Sequence, residues 1–541
     1  MKKAGKRVRL FFALFYTVVL LAGCENKSPL ISSIYPRIGI MGENLTIHGE
    51  NFGNERSESY ITIAGIPPTG SSYVSWQDNE IIIRVPEFAE PGLIYVHREG
   101  RKSNPALFAN RAFIPQTVQG DEPGSGPQIN SIEPRSAAIG SLITIQGRSF
   151  GSSRGQVSFA WNSETSLPVD YRSTEGVEVF DTEFGYEFWS DREIRLRIPD
   201  GSVSGNLVVS TSRGESRPFF FEITGRPGTK VYRDKRSYTI SYSVDIQVEE
   251  AALPNILYLW IPLPVSSASQ RYVELLSQNI MPYVENHRGT SLYQLMDLQA
   301  GFSRRISLSY SVDVYTVETE IRPQTIRQDR TSPIHAIYTL PSALIPSDDS
   351  GIIAQSAAIV GREQNPYLKA RLIYDWIIRE IEIQEQRVGG ALEALEERQT
   401  DGYGAALLFS SLARAAGIPS IPVAGVLVNR FPGTSARHYW AEFWIDAFGW
   451  VPVDPALGAG LAPMEFNLRD DHAAWYFGNA DNQRIAFSRG QTVLSQIDPR
   501  GRVSVRSRDF AFQNLWEEAI GGLESYSSLW SDVTITGIYA R

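Results

Sequence analysis

Alternating apolar and polar positions in the first part of the chain predict short β-strands. Residues 31–53 and 129–151 alternate in this way between Gly, Pro, Asn and Asp residues, which favour turns. The two stretches also repeat each other, because Thr46-Ile47 and Thr144-Ile145 stand at equivalent places 98 residues apart. The pattern therefore indicates two copies of a small β-sandwich.

The second copy is longer than the first. Trp76 and Trp189 open equivalent segments near the end of each copy, but they are 113 residues apart. Fifteen additional residues must lie in the second copy, and the polar stretch 162–187 is the expected place for this surface loop. Between the copies, the Gly- and Pro-rich residues 119–127 predict an extended linker.

The β pattern continues after the repeats without repeating. Alternating segments at 238–248 and 306–317 enclose a continuous apolar run at 256–264. These residues predict a further β-rich domain, with expected bounds 226–349.

A helix with one buried face is predicted from Ala405 to Ala416. Apolar residues recur there at the helical spacing of three and four. Thr400 or Asp401 can cap its first turn, and Gly417 ends it. Asn365 followed by a proline predicts the start of an earlier helix. We expect the domain that contains both helices to span 350–490, with 491–541 as an unassigned C-terminal extension.

The segment after the predicted Ala405–Ala416 helix has the pattern of a β-hairpin. Aromatic and β-branched residues at 439–445 and 450–453 flank a turn near Asp446. His438 and Asp454 are sixteen residues apart, so a hairpin centred on Asp446 places them opposite each other on one face. In that position a carboxylate can orient an imidazole.

At these residues the chain resembles the transglutaminase-like superfamily. Three segments carry the resemblance: Ala406-Leu407-Leu408-Phe409-Ser410-Ser411-Leu412-Ala413-Arg414-Ala415-Ala416-Gly417-Ile418-Pro419, His438-Tyr439-Trp440-Ala441-Glu442 and Gly449-Trp450-Val451-Pro452-Val453-Asp454-Pro455. The resemblance implies an α+β core of the papain-like cysteine protease fold. It also carries the family's catalytic His and Asp over to His438 and Asp454, and it places the family's nucleophilic Cys on Gly402.

A glycine at 402 removes the nucleophile, because the only cysteine of the chain is Cys24. The family mechanism needs a thiolate at a helix N-terminus, an imidazole to accept its proton and a carboxylate to hold the imidazole. Ser410 and Ser411 lie deep in the predicted helix, and Tyr403 is bulky and weakly nucleophilic. We therefore favour a non-catalytic domain, with an acyltransferase or peptidase that uses an atypical nucleophile as the alternative.

The residues around the vacant nucleophile position allow more than one role. His438 and Asp454 form either a satisfied structural pair or part of a binding cleft for a peptide or cell-envelope ligand. The side chains of Trp440, Trp444 and Trp450 either pack in the hairpin core or stack on a sugar or peptide, and packing is favoured.

The two repeats resemble the IPT/TIG immunoglobulin-like domains. The resemblance rests on Leu45-Thr46-Ile47-His48-Gly49-Glu50-Asn51-Phe52-Gly53 and on its counterpart in the second copy. It implies immunoglobulin-like sandwiches at 24–116 and 128–225, joined by a linker at 117–127 and serving as spacers or binding platforms. The expected architecture is thus tandem immunoglobulin-like β-sandwiches, a further β-rich domain and the transglutaminase-like core.

The N-terminus predicts export and a lipid anchor. Residues 1–23 have a basic head and an apolar run at 10–22 that is too short to span a membrane, which is typical of a signal peptide. Leu21-Ala22-Gly23-Cys24 matches the lipobox of bacterial lipoproteins, so Cys24 is the predicted lipid attachment site. We expect a membrane-anchored lipoprotein on the periplasmic or cell-surface side.

Charge and composition narrow the partners. The chain has 51 basic and 60 acidic residues, and removal of residues 1–23 takes away five basic residues and no acidic ones, which changes the net charge from −9 to −14. This balance argues against nucleic acid. Scattered histidines and the absence of phosphate-binding glycine motifs predict no metal and no cofactor. The expected partners are the lipid bilayer, through acylated Cys24, and a protein, peptide or cell-wall ligand.

Overall fold

The computed structural model describes residues 28–36, 38–39, 41–68, 70–86, 89, 92–110, 126–161, 176–180, 185–330, 332–385, 389–428, 432–463, 466–498 and 500–540. The predicted signal peptide 1–23 and Cys24 lie outside these residues. The same holds for most of the predicted linker and for most of the predicted loop 162–187.

The first repeat folds into two facing sheets. Its strands are β1 (Leu30–Tyr35), β2 (Ile38–Gly39), β3 (Asn44–Glu50), β4 (Tyr60–Ile63), β5 (Tyr73–Trp76), β6 (Glu80–Arg84), β7 (Gly92–Arg98), β8 (Arg101–Lys102) and β9 (Ala106–Asn110). One sheet has the order β1-β3-β6-β5, and the other has the order β2-β9-β7-β4 with β8 beside β7. The apolar residues of the inner faces form the core between them.

The second repeat has the same arrangement. Its strands are β10 (Gln128–Glu133), β11 (Ser136–Ala137), β12 (Leu142–Arg148), β13 (Gln156–Ala160), β14 (Gly176–Glu178), β15 (Tyr186–Trp189), β16 (Glu193–Arg197), β17 (Gly205–Thr211), β18 (Gly214–Glu215) and β19 (Phe219–Ile223). The sheet orders are β10-β12-β16-β15 and β11-β19-β17-β13-β14, with β18 beside β17. Strand β14 falls within the predicted loop 162–187 and pairs with β13.

Both repeats contain a glycine that packs against a phenylalanine three residues later. A Cβ atom on Gly49 would lie 2.0 Å from the carbonyl oxygen of Leu30 and 2.3 Å from the ring of Phe52. Gly147 has the same relation to the backbone of the neighbouring strand and to Phe150. The repeated motif therefore needs glycine, because the neighbouring strand and the aromatic ring both pack directly against its Cα atom.

The rest of the chain is built on one sheet of twelve strands. Its strands are β20 (Gly228–Pro262), β21 (Gln270–Gln278), β22 (Val284–His287), β23 (Thr290–Met296), β24 (Ser303–Ile321), β27 (Ser420–Val428), β28 (Gly433–Ile445), β29 (Gly449–Val453), β30 (Arg484–Arg489), β31 (Arg502–Ser504), β32 (Glu517–Trp530) and β33 (Thr534–Ala540). The main order is β21-β24-β20-β33-β28-β27-β30, and the remaining strands pair at its sides.

The long strand β20 is the centre of this sheet. It pairs with β24, β23, β32 and β33 along different parts of its length. Strand β33 also pairs with β28, so the last residues of the chain join the β-rich part to the part that contains the predicted hairpin. The sheet therefore crosses the boundaries that the sequence suggested near residues 349 and 490, and the unassigned C-terminal residues complete it.

Seven α-helices, 3-10 helices at Gly70–Ser72 and Pro323–Thr325, and a two-stranded pair, β25 (Glu382–Ile383) with β26 (Gln399–Thr400), are the other elements of the described residues. The helices are α1 (Pro333–Tyr338), α2 (Ser350–Val360), α3 (Pro366–Glu380), α4 (Ala391–Glu397), α5 (Gly402–Ala415), α6 (Pro455–Gly458) and α7 (His472–Trp475). Helices α2 to α5 share one core with strands β28 and β29. Among the described residues, none of these helices has the length and hydropathy that a membrane crossing requires.

The predicted cap residues of both helices agree with the structure. The side chain of Asn365 accepts hydrogen bonds from the backbone N–H groups of Tyr367 and Leu368, and a proline occupies the first position of α3. Asp401, and not Thr400, caps α5 by accepting from the N–H of Gly404 at 3.0 Å. Helix α5 begins three residues before the start that the apolar pattern predicted. The pattern missed residues 402–404 because they are two glycines and a tyrosine, which do not continue the apolar spacing of the helix.

Candidate functional site

The hairpin of β28 and β29 brings His438 and Asp454 into contact. The Nε2 of His438 donates a hydrogen bond to Oδ2 of Asp454 at 2.7 Å, and both side chains are buried. The hairpin register differs from the expected one. Trp444 pairs with Trp450, so the turn is centred on Ala447 and not on Asp446. Ala447, the middle residue of this three-residue turn, takes a positive φ of 65°.

The shifted register makes His438 and Asp454 diagonal neighbours on one face. A displacement of two residues keeps the side chains on the same side of the sheet, because side chains alternate with a period of two. The even spacing of His438 and Asp454 therefore predicted correctly that their side chains share one face. The prediction that the two residues stand directly opposite each other was wrong.

Asp454 has three hydrogen-bonding partners. Its Oδ2 accepts from His438 and from Nη1 of Arg484 at 3.0 Å, and its Oδ1 accepts from the N–H of Leu457 at 3.0 Å, which caps α6. Burial acts to raise the pKa of Asp454, but the charges and hydrogen bonds of His438 and Arg484 outweigh burial and hold the pKa below its ordinary value. Asp454 is therefore an ionised carboxylate that two cationic or donor side chains share.

Arg484 was not singled out by the sequence. Its Nη2 donates to Asp481 at 2.6 Å, and its guanidinium lies 5.0 Å from the ring centre of Trp440. The ring of Trp440 is in turn stacked with that of His438, at 6.1 Å and 21°. In the sequence, the spacing of three residues between Asp481 and Arg484 indicates only that these two side chains can pair with each other. It does not indicate that Arg484 also binds Asp454 at the end of the hairpin.

Gly402 stands at the first position of α5, where the family resemblance places the nucleophile. A Cβ built on Gly402 meets only the Cβ of Ala456, at 3.4 Å, among the described residues outside its own helix and immediate neighbours. Ala456 belongs to α6, two residues after Asp454. The backbone at 402 can thus hold a side chain without strain, and the glycine is not imposed by packing.

The other candidate nucleophiles are engaged in packing. The ring of Tyr403 contacts Tyr439 at 5.2 Å and Phe512 at 5.7 Å, and the guanidinium of Arg508 covers it at 4.7 Å. Burial raises the pKa of the Tyr403 hydroxyl, which makes it a weaker nucleophile. Ser411 is fully buried and donates to the carbonyl of Leu407 at 2.8 Å.

Ser410 and the three tryptophans are also buried. The hydroxyl of Ser410 accepts a hydrogen bond from the Ser420 hydroxyl at 3.4 Å. Trp440, Trp444 and Trp450 are each at most 5% exposed, and the last two pack edge to face at 5.4 Å. These tryptophans are therefore part of the hairpin packing and do not present faces on which a sugar could stack.

The C-terminal residues form one side of this region. Arg508 pairs with the Asp401 carboxylate that caps α5, and its Nη1 donates to the carbonyl of Gly389 at 3.1 Å. The hydroxyl of Tyr439 donates to the carbonyl of Asp509 at 3.1 Å. The segment before β32 is thus held against the N-terminal end of α5.

Metal ligands are not grouped here. In the described ranges, no three or more His, Asp or Glu side chains are placed to hold a metal ion.

Comparison with known proteins assigns families to three segments. The profile of the transglutaminase-like superfamily matches residues 353–455, and the IPT/TIG domain profile matches residues 29–109 and 127–222. An uncharacterized protein of Haemophilus influenzae is 24% identical over 294 residues, which are 47% of this chain and 79% of that protein. A cyclomaltodextrin glucanotransferase of Paenibacillus macerans is 37% identical over 84 residues, which are 16% of this chain and only 12% of the enzyme.

Among the solved structures that are similar to this chain, two share low sequence identity with it over more than half of its length. A candidate cysteine protease of Cytophaga hutchinsonii is 17% identical with a TM-score of 0.35, over 58% of this chain and 93% of that one. The periplasmic domain of TgpA from Pseudomonas aeruginosa is 15% identical with a TM-score of 0.23, over 59% of this chain and 90% of that one. On the family profiles, the chain carries two IPT/TIG immunoglobulin-like domains followed by a domain of the transglutaminase-like superfamily.

Proposed function

We propose that this chain is an exported, lipid-anchored protein of the cell envelope whose transglutaminase-like domain does not catalyse acyl transfer. The domain acts as a binding or structural module for a peptide or another envelope ligand. The observation that carries the proposal is Gly402 at the first position of α5, in a chain whose only cysteine is Cys24.

The chemistry of acyl transfer explains why a glycine there is decisive. The superfamily's reaction forms a covalent intermediate on a thiolate that the helix N-terminus activates. Here the helix start and its Asp401 cap are present, but no atom at 402 can attack a carbonyl. His438 then has no thiol from which to accept a proton.

The structural role of the remaining pair supports the same proposal. Asp454 binds Arg484 and the first turn of α6 in addition to His438. Its carboxylate therefore stabilises the fold whether or not the site is catalytic. Replacement of a buried charge that has several partners is costly, which is a sufficient reason for the pair to persist.

The alternative is an enzyme with an atypical nucleophile. The intact 2.7 Å contact between His438 and Asp454 favours it, since that contact is what orients a general base. The packing of Tyr403 and of the helix serines leaves it without a candidate nucleophile among the described residues near α5.

Ammonia release distinguishes the two functions. Purified full-length protein is incubated with a glutamine-containing peptide and an amine, and ammonia and peptide mass are measured. We expect no release above that of a His438→Ala variant. Release by the wild type that the His438→Ala substitution abolishes would establish the enzyme and refute the non-catalytic proposal.

The lipid anchor needs its own test. Cells that express the protein are fed a fatty acid with a clickable tag, and the protein is purified and probed for the tag. We expect labelling of the wild type and no labelling of a Cys24→Ser variant. Equal labelling of both, or of neither, would contradict an anchor on Cys24.

A further inference from the structure

At one end of its free edge, the hairpin contacts Asp200 of the second IPT/TIG domain together with Lys230 of β20. Among the described residues, β29 pairs with β28 on one side along its whole length. On its other side, Val453 forms an isolated bridge with Phe477, and the N–H of Gly478 donates to the carbonyl of Pro452 at 2.9 Å. The end of that edge at Trp450 has no strand partner in the described part of the chain.

At this end, the N–H of Trp450 donates to Oδ2 of Asp200 at 3.2 Å, and its carbonyl accepts from Nζ of Lys230 at 2.7 Å. Asp200 and Lys230 are joined at 2.6 Å. This ion pair occupies the place of a neighbouring strand at Trp450.

The ion pair is removed from water. The side chains of Lys230 and Asp200 are only 2% and 10% exposed. Burial lowers the pKa of Lys230 against the opposing effect of the Asp200 charge. A buried pair of this kind contributes little net stability against an apolar alternative, but loss of one partner leaves an uncompensated charge.

Residues of the second IPT/TIG domain pack closely around the hairpin turn next to the Asp200–Lys230 ion pair. A Cβ on Gly449 would lie 2.1 Å from Oδ1 of Asp200, and a Cβ on Gly140 would lie 2.8 Å from the ring of Trp444. Ile139 and Ala447 form an antiparallel bridge between the domain and the hairpin turn. The turn is therefore enclosed by residues of the second IPT/TIG domain.

The apolar cores on the two sides are continuous. Trp161 of the second IPT/TIG domain stacks on Tyr232 at 5.1 Å and meets Tyr315 edge to face at 4.8 Å. Trp444 and Trp450 belong to the same buried cluster as the interior of that domain. Two cavities along this junction, of about 50 and 20 Å³, have room for a few water molecules only. Apolar side chains of the second IPT/TIG domain and of the hairpin therefore pack in one interior at this junction.

We propose that the second IPT/TIG domain is permanently docked against the transglutaminase-like domain. Asp200 is a positioning residue that satisfies the edge of β29 at Trp450, where no strand pairs, and so holds the hairpin that carries His438 and Asp454. The domain is not a spacer that moves independently. This inference does not depend on whether the site is catalytic, because it concerns the edge of the hairpin and not its chemistry.

Hydrogen exchange followed by mass spectrometry measures this edge directly. In the full-length protein, we expect Asp200→Ala to accelerate exchange of the amides in residues 446–454 by about tenfold or more. Asp191→Ala is the matched control, since Asp191 lies in the same domain with a side chain that is 53% exposed. The control should leave exchange in 446–454 unchanged.

A conservative double variant separates positioning from general damage. In Asp200→Asn with Lys230→Gln, the asparagine oxygen can still accept from the N–H of Trp450, and the glutamine amide can still donate to the carbonyl of Trp450, while the buried ion pair is replaced by two neutral groups. We expect exchange in 446–454 to return to within about threefold of the wild type. This variant also decides the matter if Asp200→Ala does not fold.

The imidazole of His438 gives a second readout. Its Nε2–H signal, identified by its loss in His438→Ala, should move in Asp200→Ala and return in the double variant. Unchanged exchange in 446–454 and an unchanged His438 signal in a folded Asp200→Ala protein would overturn the proposal. Failure of the double variant to restore either readout would overturn it as well.

Discussion

At the scale of single residues, the carboxylate of Asp454 is the group on which the site depends. It accepts from His438, from Arg484 and from the first turn of α6. An aspartate whose only role was to orient a catalytic imidazole would have no role in a domain without a nucleophile. With three partners, Asp454 keeps a role in folding.

Substitution of Asp454 should be costly and should change the response to acid. We expect Asp454→Asn to lower the free energy of unfolding by about 3–5 kcal/mol at pH 7, because it leaves Arg484 buried without its full countercharge. The folded-state pKa of Asp454 is below its ordinary value, so its contribution is present above about pH 4 and is lost as the pH falls through the folded-state pKa.

Denaturation midpoints from about pH 7 to pH 3 measure this contribution. The wild type should lose stability more steeply below about pH 4 than Asp454→Asn does. Asp375→Asn is the control, since Asp375 pairs with Arg371 at the surface of α3 and should cost no more than about 0.5 kcal/mol. Parallel acid profiles for wild type and Asp454→Asn would contradict the assignment.

At the scale of elements, the hairpin turn is fixed by what surrounds it. Gly449 has a positive φ of 97° and no room for a side chain beside Asp200. Gly417, which ends helix α5, has a positive φ of 76° but no described neighbour within 4 Å of its Cβ position. The two glycines therefore differ in packing while both need left-handed backbone.

Alanine substitutions at these glycines separate the two effects. We expect Gly417→Ala to cost about 1–2 kcal/mol, from backbone conformation alone. Gly449→Ala should cost at least about 2 kcal/mol more, because the methyl group must displace the Asp200 carboxylate. Chemical denaturation of the two variants measures the difference, and equal costs would show that Asp200 does not confine the turn.

The local elements could be predicted from the sequence, while their partners could not. The apolar spacing and the cap residues predicted helix α5. The even number of residues between His438 and Asp454 predicted that their side chains lie on one face of the hairpin. The register was missed because Asp446 and Ala447 are both compatible with the centre of a turn, and the side-chain pattern does not distinguish a shift of two residues. Arg484 was missed because its contact with Asp454 depends on the pairing of β27 with β30.

At the scale of the whole molecule, both immunoglobulin-like domains are docked against the large sheet. Tyr95 of the first domain packs in one apolar cluster with Trp260 and Leu515, and its hydroxyl donates to the carbonyl of Gln496. Arg288 donates to the carbonyl of Ala64 at 2.9 Å. The sequence suggested spacers, since linker composition and strand pattern contain no information about which faces of two domains meet.

A buried carboxylate lies at the contact of the first domain. Glu518 on β32 accepts from the N–H groups of Ile497 and Asp498 at 2.7 and 2.6 Å, and Lys102 is the nearby opposite charge. Burial outweighs these interactions and raises the pKa of Glu518 to about 7. The folded state therefore binds a proton that the unfolded chain releases at lower pH.

The pH dependence of stability tests this assignment. A raised carboxyl pKa contributes stability that is complete below about pH 4.5 and is lost as the pH rises through about 7. We expect the wild type to lose about 2 kcal/mol between about pH 5.5 and pH 8, and Glu518→Gln to show a flatter profile. Denaturation midpoints over this range measure it, and identical slopes would exclude Glu518 as the titrating group.

Intact-protein mass spectrometry measures whether the transglutaminase-like domain has a nucleophile. The full-length protein and its Gly402→Cys variant are incubated with an activated acyl donor, quenched in acid, weighed and digested to locate any adduct. We expect no acyl adduct on residues 398–454 of the wild type, and an adduct on residue 402 only in the variant. A stoichiometric acyl adduct on any residue of 398–454 in the wild type would contradict the proposed absence of a nucleophile.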